Sequence, residues 1–461
     1  MMIPISPIVL DQVEQQIFAL LRNFVQHDAL KVTLRVAGGW VRDKLLGIDC
    51  HDLDIALDTM TGEAFASRLH DYLHVRDHHL VSSFGVIQVN PEQSKHLEAA
   101  TLCILGRPID FVNMRSENYS QDSRIPDIEI GTPVEDALRR DLTINSLFYN
   151  LDTEQVEDLT GHGVEDIQKG IIRTPLEPLV TLTDDPLRLL RAIRFACRFN
   201  YRIVPELEQS MLHPQVYSAF MSKVSRERVG IEIDKICAHK NRLLGLALIS
   251  RIKSVYPMVL GRMPASIEES HVEYGVFVER LRERVLTREG ALGLLCLPFT
   301  GERYQMVKGS KSKEEAVSMH IMKESLKLGN KDALAVHQLV EHIHELHELN
   351  TQLPSGTVAN DFITKLGRQI RVIGKDWREA ILLAGIYYDV CMQDLEQRVM
   401  DLGLENAWEW KPLLSGEDIK ALVPGIDPKL IGQWTARILD WQYMHPRGTK
   451  EEAIRDLFPP K

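Results

Sequence analysis

The sequence predicts an α+β protein: a small mixed β-sheet head over residues 1–150, then an all-helical neck (151–255), body (256–400) and tail (401–461). Three observations predict it. Short β-like runs alternate with helical stretches through the first part of the chain. From about Pro186 onward, β signals nearly vanish. The 461 residues, 44% apolar and 26% charged, amount to about two to four ordinary globular domains that can bury a sizeable core without staples.

Taken in order, Ile8, Val9, Val13, Ile17, Leu20, Leu21 and Phe24 recur near helical spacing, so residues 8–26 read as an amphipathic helix. Val32 to Ala37 is a short β-like run, followed by the Gly38-Gly39 turn and a short helical stretch ending at Leu46-Gly47. Leu53 to Leu57 is a second strand, Thr61 to Leu73 a helix, and Val86 to Val89, Ala99 to Leu105 and Ile109 to Asn113 are further strands. Beyond Pro186, Leu187–Phe199, Arg226–Ala238, Arg242–Ile252, Glu273–Val285, Lys313–Lys327, Leu334–Leu349 and Trp377–Val390 read as helices. The Gly-Ser-Lys-Ser-Lys run at 309–313 reads as a loop or hinge. Pro412–Pro424 and His445–Lys450 read as turns within a last helical unit. There is no repeat and no low-complexity tract.

The formal net charge of −11 argues against a bulk nucleic-acid coat but permits a local basic groove, because binding follows where Lys and Arg sit. The six cysteines, Cys50, Cys103, Cys197, Cys237, Cys296 and Cys391, lie far apart and form no CxxC or Cys/His cluster. They suggest neither a zinc site nor a disulfide framework, and reduced thiols in an intracellular setting are expected. No apolar run approaches the roughly 18 residues of a membrane span. Met1 to Arg22 holds one basic residue and resembles neither a transit peptide nor a secretory signal. The expected location is cytoplasmic, with nucleus and mitochondria as further compartments, and the expected assembly a monomer or weak dimer.

The strongest chemical signal is Gly38-Gly39-Trp40-Val41-Arg42-Asp43, then Leu45-Leu46-Gly47, then Asp52-Leu53-Asp54-Ile55-Ala56. Carboxylates at i and i+2 on a strand point to one side of the sheet, while Leu53 and Ile55 point the other way. Two parallel carboxylates repel, and a divalent cation relieves the repulsion; Mg²⁺ takes one or two carboxylates plus phosphate oxygens. A glycine pair before a short helix lets backbone N–H groups approach a triphosphate, and Arg42 can add a charge-assisted bond. Alone, a DxD in a strand is more often surface charge and a Gly-Gly pair a plain turn. Their order and spacing leave little room for coincidence.

These residues resemble the nucleotidyltransferase superfamily that includes DNA polymerase β, and within it the class II tRNA nucleotidyltransferases of eukaryotic type. The resemblance continues through Arg139-Arg140-Asp141-Leu142-Thr143-Ile144-Asn145 and through Asp158-Leu159-Thr160-Gly161 with Gly170 to Pro175. It covers Asp184-Asp185-Pro186-Leu187-Arg188-Leu189-Leu190-Arg191-Ala192-Ile193-Arg194, where the family begins with Glu-Asp, and Ser225-Arg226-Glu227-Arg228 with Glu232. It is specific over residues 35–240 and looser beyond.

The resemblance implies addition of CCA to the 3′ end of tRNA from CTP and ATP, with two Mg²⁺ ions on Asp52 and Asp54. It implies a third carboxylate, for which Asp110 is the first candidate and Glu98 the second. Gly38, Gly39, Arg42, Asp43, Arg139, Arg140, Asp141 and Asn145 would bind the triphosphate and ribose. Asp185 and Arg188 would read the base, and Arg191 and Arg194 would follow along the same helix. Arg188, Arg191, Arg194 and Arg198 recur at helical spacing, as a phosphate path or a solvated face. The Asp158 and Arg228 segments are expected to brace rather than to touch substrate.

Asn113 to Asp136 resembles the loop region that helps switch from C to A addition. Ile431-Gly432-Gln433-Trp434, Trp441 and Pro446 to Lys450 resemble a tail that touches the tRNA body, equally readable as a helical cap. Arg447, Lys450 and the Lys308–Lys313 cluster are the candidate tRNA contacts. Relatives that add only CC or only A, and a poly(A) polymerase, share these motifs and stay open. A catalytically dead scaffold would need a broken acidic pair. The His-Asp pairs at 27–28, 51–52 and 70–71 lack the companions a phosphohydrolase needs.

Overall fold

The computed structural model describes residues 2–76, 80–87, 99–118, 127–263, 267, 274–281, 284–308, 311–354 and 358–459. It divides into two compact units, Met1–Met258 and Val259–Lys461.

The first unit opens with α1 (Gln12–His27), β1 (Leu34–Ala37), α2 (Gly39–Leu45), β2 (Leu53–Leu57), α3 (Gly62–Arg76), β3 (Val81–Ile87), β4 (Ala99–Ile104) and β5 (Arg107–Asn113). A hairpin β6 (Arg115–Asn118)–β7 (Asp127–Ile130), α4 (Pro133–Leu138), β8 (Phe148–Asn150) and β9 (Gln155–Glu157) complete the head. Then follow α5 (Gly163–Lys169), β10 (Ile171–Ile172), α6 (Pro178–Asp184), α7 (Arg188–Phe199), β11 (Arg202–Ile203), α8 (Pro205–Met211), α9 (Pro214–Lys223), α10 (Arg226–Ala238), α11 (Arg242–Arg251) and α12 (Val255–Leu260).

Seven strands form one sheet in the order β3-β4-β5-β2-β1-β8-β9. Among the described pairs of this sheet only β2–β5 is parallel; it puts Asp54 opposite Asp110, and the antiparallel β4–β5 pair puts Thr101 opposite Asp110. Register partners share a face, so these three residues form a row across the sheet. Alternation sends Phe111 to the other face, where its ring meets Phe65 of α3 at 5.2 Å. One face is therefore sealed by a helix, and the other carries the acidic row.

Helix α1 starts four residues later than the apolar spacing predicts. Asp11 caps it, accepting from the Glu14 N–H at 2.8 Å, while the Glu14 carboxylate accepts from the Asp11 N–H at 2.8 Å. This capping box leaves Ile8 and Val9 outside the helix. Glu14 is fully buried and also accepts from the Trp40 indole at 2.9 Å and Lys44 at 2.7 Å, which ties α1 to α2. The neck helices are close-packed on one another. A Cβ on Gly245 of α11 would stand 2.4 Å from Ile236 of α10, so the close helix approach requires glycine there.

The second unit comprises α13 (Tyr274–Leu281), α14 (Arg288–Cys296), the antiparallel hairpin β12 (Arg303–Lys308)–β13 (Lys311–Ala316), α15 (Val317–His320), α16 (Asn330–Glu341) and α17 (Ile343–Thr351). It ends with α18 (Asn360–Ile373), α19 (Trp377–Tyr388), α20 (Gln393–Asp401), α21 (Gly416–Leu422), α22 (Ile431–Met444) and α23 (Lys450–Leu457). Leu414, Ile419 and Ile438 make the small core of its last part. No described helix is long and apolar enough to cross a membrane.

Four expectations are corrected. Of the predicted hinge at 309–313, residues 311–313 instead begin β13, and 309–310 lie outside the described residues. The predicted helix Lys313–Lys327 is a strand to Ala316, then α15 and a π-helical turn Ile321–Ser325; Tyr304 donates to Glu315 at 2.9 Å across the strand pair. The single helix predicted for Leu334–Leu349 is broken at His342 into α16 and α17. Within the predicted turns at Pro412–Pro424, Ser415 and Asp418 form a capping box that starts α21.

Candidate active site

The floor of the site is acidic. In β2, Leu53 and Ile55 are buried while Asp54 between them opens to solvent. Asp54 lies at the bottom of a cleft, reached by water yet hemmed in by protein. That partial burial pushes its carboxyl above the ordinary range, the charges of Asp110 and Asp52 push it further, and Arg140 opposes them. Asp110 lines the same cleft, and its Oδ1 accepts from the Thr101 hydroxyl at 2.5 Å.

Asp52 stands one residue before β2, exposed, and does not line the cleft. The carboxylates standing side by side are thus Asp54 and Asp110 on adjacent parallel strands. Glu98, the other candidate for the third carboxylate, lies outside the described residues. Among the described residues no three His, Cys, Asp or Glu side chains are grouped as a ready-made metal cage. Two adjacent, mutually repelling carboxylates are nonetheless the donor set that fits Mg²⁺, which fills its other positions with water and phosphate oxygens.

The walls are basic. The cleft, about 660 Å³, is lined by eight arginines and four aspartates, a strong local inversion of the chain's net negative charge. Asp136 of α4 organises two of the arginines. It is 1% exposed, and one oxygen takes Arg139 Nε at 2.9 Å while the other takes Arg140 at 2.8 and 3.1 Å. Burial works against its charge, but the two guanidiniums prevail and hold its carboxyl below the usual range.

Asp141 is buried as well. It bonds Arg191 Nη2 at 2.6 Å and accepts from Asn145 Nδ2 and the Leu142 N–H. Burial opposes its charge; Arg191, the Asn145 bond and Arg188 outweigh it and bring its carboxyl down to about 2.

Arg42 and Asp43 are each 3% exposed. Arg42 bonds Asp43 at 2.8 Å and the Asn145 side-chain oxygen, and lies over the Phe199 ring at 4.8 Å. Asp43 also takes Arg198 at 3.0 Å and does not line the cleft, whereas Arg42 does. Asp43 therefore holds arginines in place.

Gly38 has φ +65°, and its N–H donates to Leu147 O at 2.8 Å. That donor is engaged within the protein, so what glycine supplies at 38 is conformation and room: a Cβ would come within 2.7 Å of Arg140 Nη1. Gly39 lines the cleft. Gly38→Ala is expected to cost about 2 kcal/mol in backbone strain and to displace Arg140. A lowered melting temperature together with weaker binding of inorganic triphosphate is the measurement that checks it.

The far wall is α7 and the turn before it. Asp185 is extended (φ −124°, ψ 94°) and pairs with Arg228 of α10, at 2.9 and 3.3 Å, rather than with Arg188. Arg188 reaches back to the head and donates to Arg139 O at 2.6 Å. Arg191 binds Asp141, Arg194 binds Glu232, and Arg198 binds Asp43. The arginine series on α7 is thus neither a solvated face nor a bare phosphate path: Arg188, Arg191 and Arg198 stitch neck to head, and Arg194 ties α7 to α10 within the neck. The Asp158 segment also braces, its carboxylate accepting from the Val164 N–H at 2.9 Å at the start of α5.

The cleft brings together Gly39, Arg42, Asp54, Asp110, Arg139, Arg140, Asp141, Asn145, Asp185, Arg188, Arg191 and Arg194 of the expected set, and leaves Gly38, Asp43 and Asp52 off its lining. Sequence reasoning missed Arg115, Phe195 and Arg228 as lining residues, and Asp136 behind them. The spacing of Asp136 to Arg139 and Arg140, three and four residues, was a readable signal. Arg228 was expected only to brace; it holds Asp185 and lines the cleft as well.

Residues 34–173 match the poly A polymerase head domain. The chain is 35% identical to the mitochondrial CCA tRNA nucleotidyltransferase of Saccharomyces cerevisiae, over 98% of this chain and 93% of that one. It is 34% identical to tRNA nucleotidyltransferase cca2 of Schizosaccharomyces pombe, over 98% and 99%. The chain belongs to the CCA tRNA nucleotidyltransferase family. A solved CCA-adding enzyme, in an apo form, shares its fold with a TM-score of 0.68 at 18% identity, over 97% of this chain and 96% of that one. In this tRNA nucleotidyltransferase the matched head segment supplies the acidic floor and the Arg139–Asp141 wall. The Asp185 turn and α7 lie beyond it and close the cleft from the neck.

Proposed function

We propose that this family member adds CCA to the 3′ end of tRNA, taking CTP and ATP as substrates and releasing pyrophosphate. The observation that carries the reading is one cleft in which the paired carboxylates Asp54 and Asp110 face a wall of arginines, in a chain whose full-length relatives are named tRNA nucleotidyltransferases. An acidic pair that demands a cation and a basic wall that demands polyphosphate fit one substrate, a nucleoside triphosphate.

Mg²⁺ held by Asp54 and Asp110, with Asp52 at the rim, would neutralise phosphate charge and ease deprotonation of the tRNA 3′-OH. Arg139, Arg140 and Arg42 bind and orient the triphosphate; the Asp136 clamp fixes two of them before substrate arrives. The 3′-oxygen attacks the α-phosphorus in line, forming the O–P bond as the bond to the bridging oxygen breaks. Pyrophosphate leaves with the electron pair, and positioning plus charge neutralisation supply the catalysis.

Asp185 offers an acceptor and Arg188 donors to the Watson–Crick edge of C or A. Arg228 fixes the carboxylate of Asp185, and the Arg139 carbonyl fixes Arg188. A site with matched polar groups rejects the wrong base, because each group left unpaired costs about 1–3 kcal/mol. Arg188→Ala is expected to relax the preference for CTP and ATP over UTP and GTP by about tenfold or more. Misincorporation rates with each of the four triphosphates check this, and an unchanged preference would place base reading elsewhere.

The tRNA is read by shape and backbone rather than by sequence. In the second unit Lys313 and Arg447 are exposed and suited to phosphate contact, whereas Lys450 is engaged by Asp418 at 2.7 Å. Two of the relatives carry "mitochondrial" in their names, and we place this enzyme in mitochondria as well as in the cytoplasm and nucleus, as a monomer or weak dimer. The direct test is release of pyrophosphate from CTP on adding tRNA that lacks its CCA end. Release without tRNA, or none with it, would overturn the reading.

A further inference from the structure

We propose that Thr101 is a positioning residue for the acidic pair: its hydroxyl holds Asp110 by one oxygen and so presents the other to the cleft beside Asp54. The inference rests on reading Asp54 and Asp110 as the seat of a divalent cation. Thr101 sits on β4 directly opposite Asp110 on β5, and Asp54 sits opposite Asp110 on the other side. The three side chains share one face, in the order Thr101, Asp110, Asp54. The Thr101 hydroxyl donates to Asp110 Oδ1 at 2.5 Å, the short distance of a bond to a charged acceptor.

Such a bond answers a specific need. The terminal torsion of an aspartate is broad, so backbone register alone does not fix which oxygen faces a ligand. The neighbouring negative charge of Asp54 repels Asp110 and would turn it away. Threonine is stiff at χ1, so its hydroxyl is held at a fixed place on the pleat. Among the described residues no protein donor engages Asp110 Oδ2, which is therefore left for the cleft that Asp110 lines. Groups that orient a metal-binding carboxylate without touching the metal typically govern affinity by about 10–100-fold.

The test measures Mn²⁺ binding to the full chain, without tRNA or nucleotide, from the paramagnetic signal of the free ion. Thr101→Val keeps the branched shape and removes the donor; Thr101→Ala removes it with no risk of crowding; Thr101→Ser keeps the donor. Val and Ala are expected to weaken Mn²⁺ binding by about tenfold or more, with the melting temperature of the metal-free protein unchanged, and Ser restores binding. In turnover the loss falls on kcat and on the Mg²⁺ requirement, with KM for CTP little altered. Wild-type Mn²⁺ affinity in both Val and Ala, while Asp54→Asn loses binding, would overturn the role of Thr101 and leave the cation site standing. Wild-type affinity in Asp54→Asn would overturn the cation site itself.

Discussion

Asp54→Asn is expected to lower the rate of CMP addition by on the order of 10³-fold while tRNA binding stays near wild type. The estimate follows from the charge the carboxylate handles: cation-mediated stabilisation of a phosphoryl transition state is worth several kcal/mol, and about 4 kcal/mol is three decades in rate. Asparagine is isosteric and polar, and Asp54 opens to solvent, so the fold tolerates it. The change also removes the repulsion that lifts the Asp54 carboxyl, so the metal-free variant is expected to be no less stable than wild type. Single-turnover CMP incorporation, tRNA binding by filter retention and a melting curve separate these effects. Addition at more than about a tenth of the wild-type rate would place the chemistry away from this pair.

Asp141→Asn is expected to be the most damaging change on the basic wall. Asp141 accepts from Arg191 and Asn145, and Asn145 in turn accepts from Arg42. Its carboxyl is held at about 2 against an ordinary 3.8, a difference worth about 2 kcal/mol. Fully buried pairs cost about 3–5 kcal/mol to break, and the partial exposure of Arg191 keeps this one at the lower figure.

The sign is fixed by linkage. A carboxylate whose pKa is depressed by folding stabilises above its ordinary pKa, and that stability is lost as pH falls through the folded value. The gap in melting temperature between wild type and variant should therefore be full above pH 4 or so and close toward pH 2 or so. A gap that stays constant down to pH 2 or so would mean that the Arg191 pairing is not its source. Since Arg191 loses its anchor, kcat/KM for CTP should fall with the stability.

The sequence carried the head, the helical remainder and most of the cleft because their signals are local. Leu53 and Ile55 alternate with Asp54 and the glycine pair precedes a helix, while Asp141 and Asn145 came with the family motif that holds them. The rest is set by pairing at a distance. Asp110 was named only through the resemblance, because its place beside Asp54 depends on a parallel register between strands separated by α3, β3 and β4, which no local pattern encodes. Asp185 and Arg188 look like a natural pair at three residues' spacing, yet Arg228 on α10 takes the carboxylate and the Arg139 carbonyl takes the guanidinium.

The second unit shows the same limit in secondary structure. Lys313, Glu314 and Glu315 are good helix formers, but hairpin pairing with Arg303–Lys308 overrides that preference. The apolar period from Leu334 to Leu349 runs unbroken through His342, where the backbone nevertheless breaks the helix. The apolar spacing likewise overran the start of α1, which the capping box of Asp11 and Glu14 sets instead.

The most direct test of CCA addition reads product lengths from tRNA that ends at the discriminator base, incubated with CTP alone, ATP alone and both. The structure and family predict two added residues with CTP, none with ATP, and three with both, with growth stopping there. A ladder of many residues with ATP alone would make the protein a poly(A) polymerase, and a stop after two residues with both triphosphates would make it a CC-adding enzyme; either result contradicts full CCA addition.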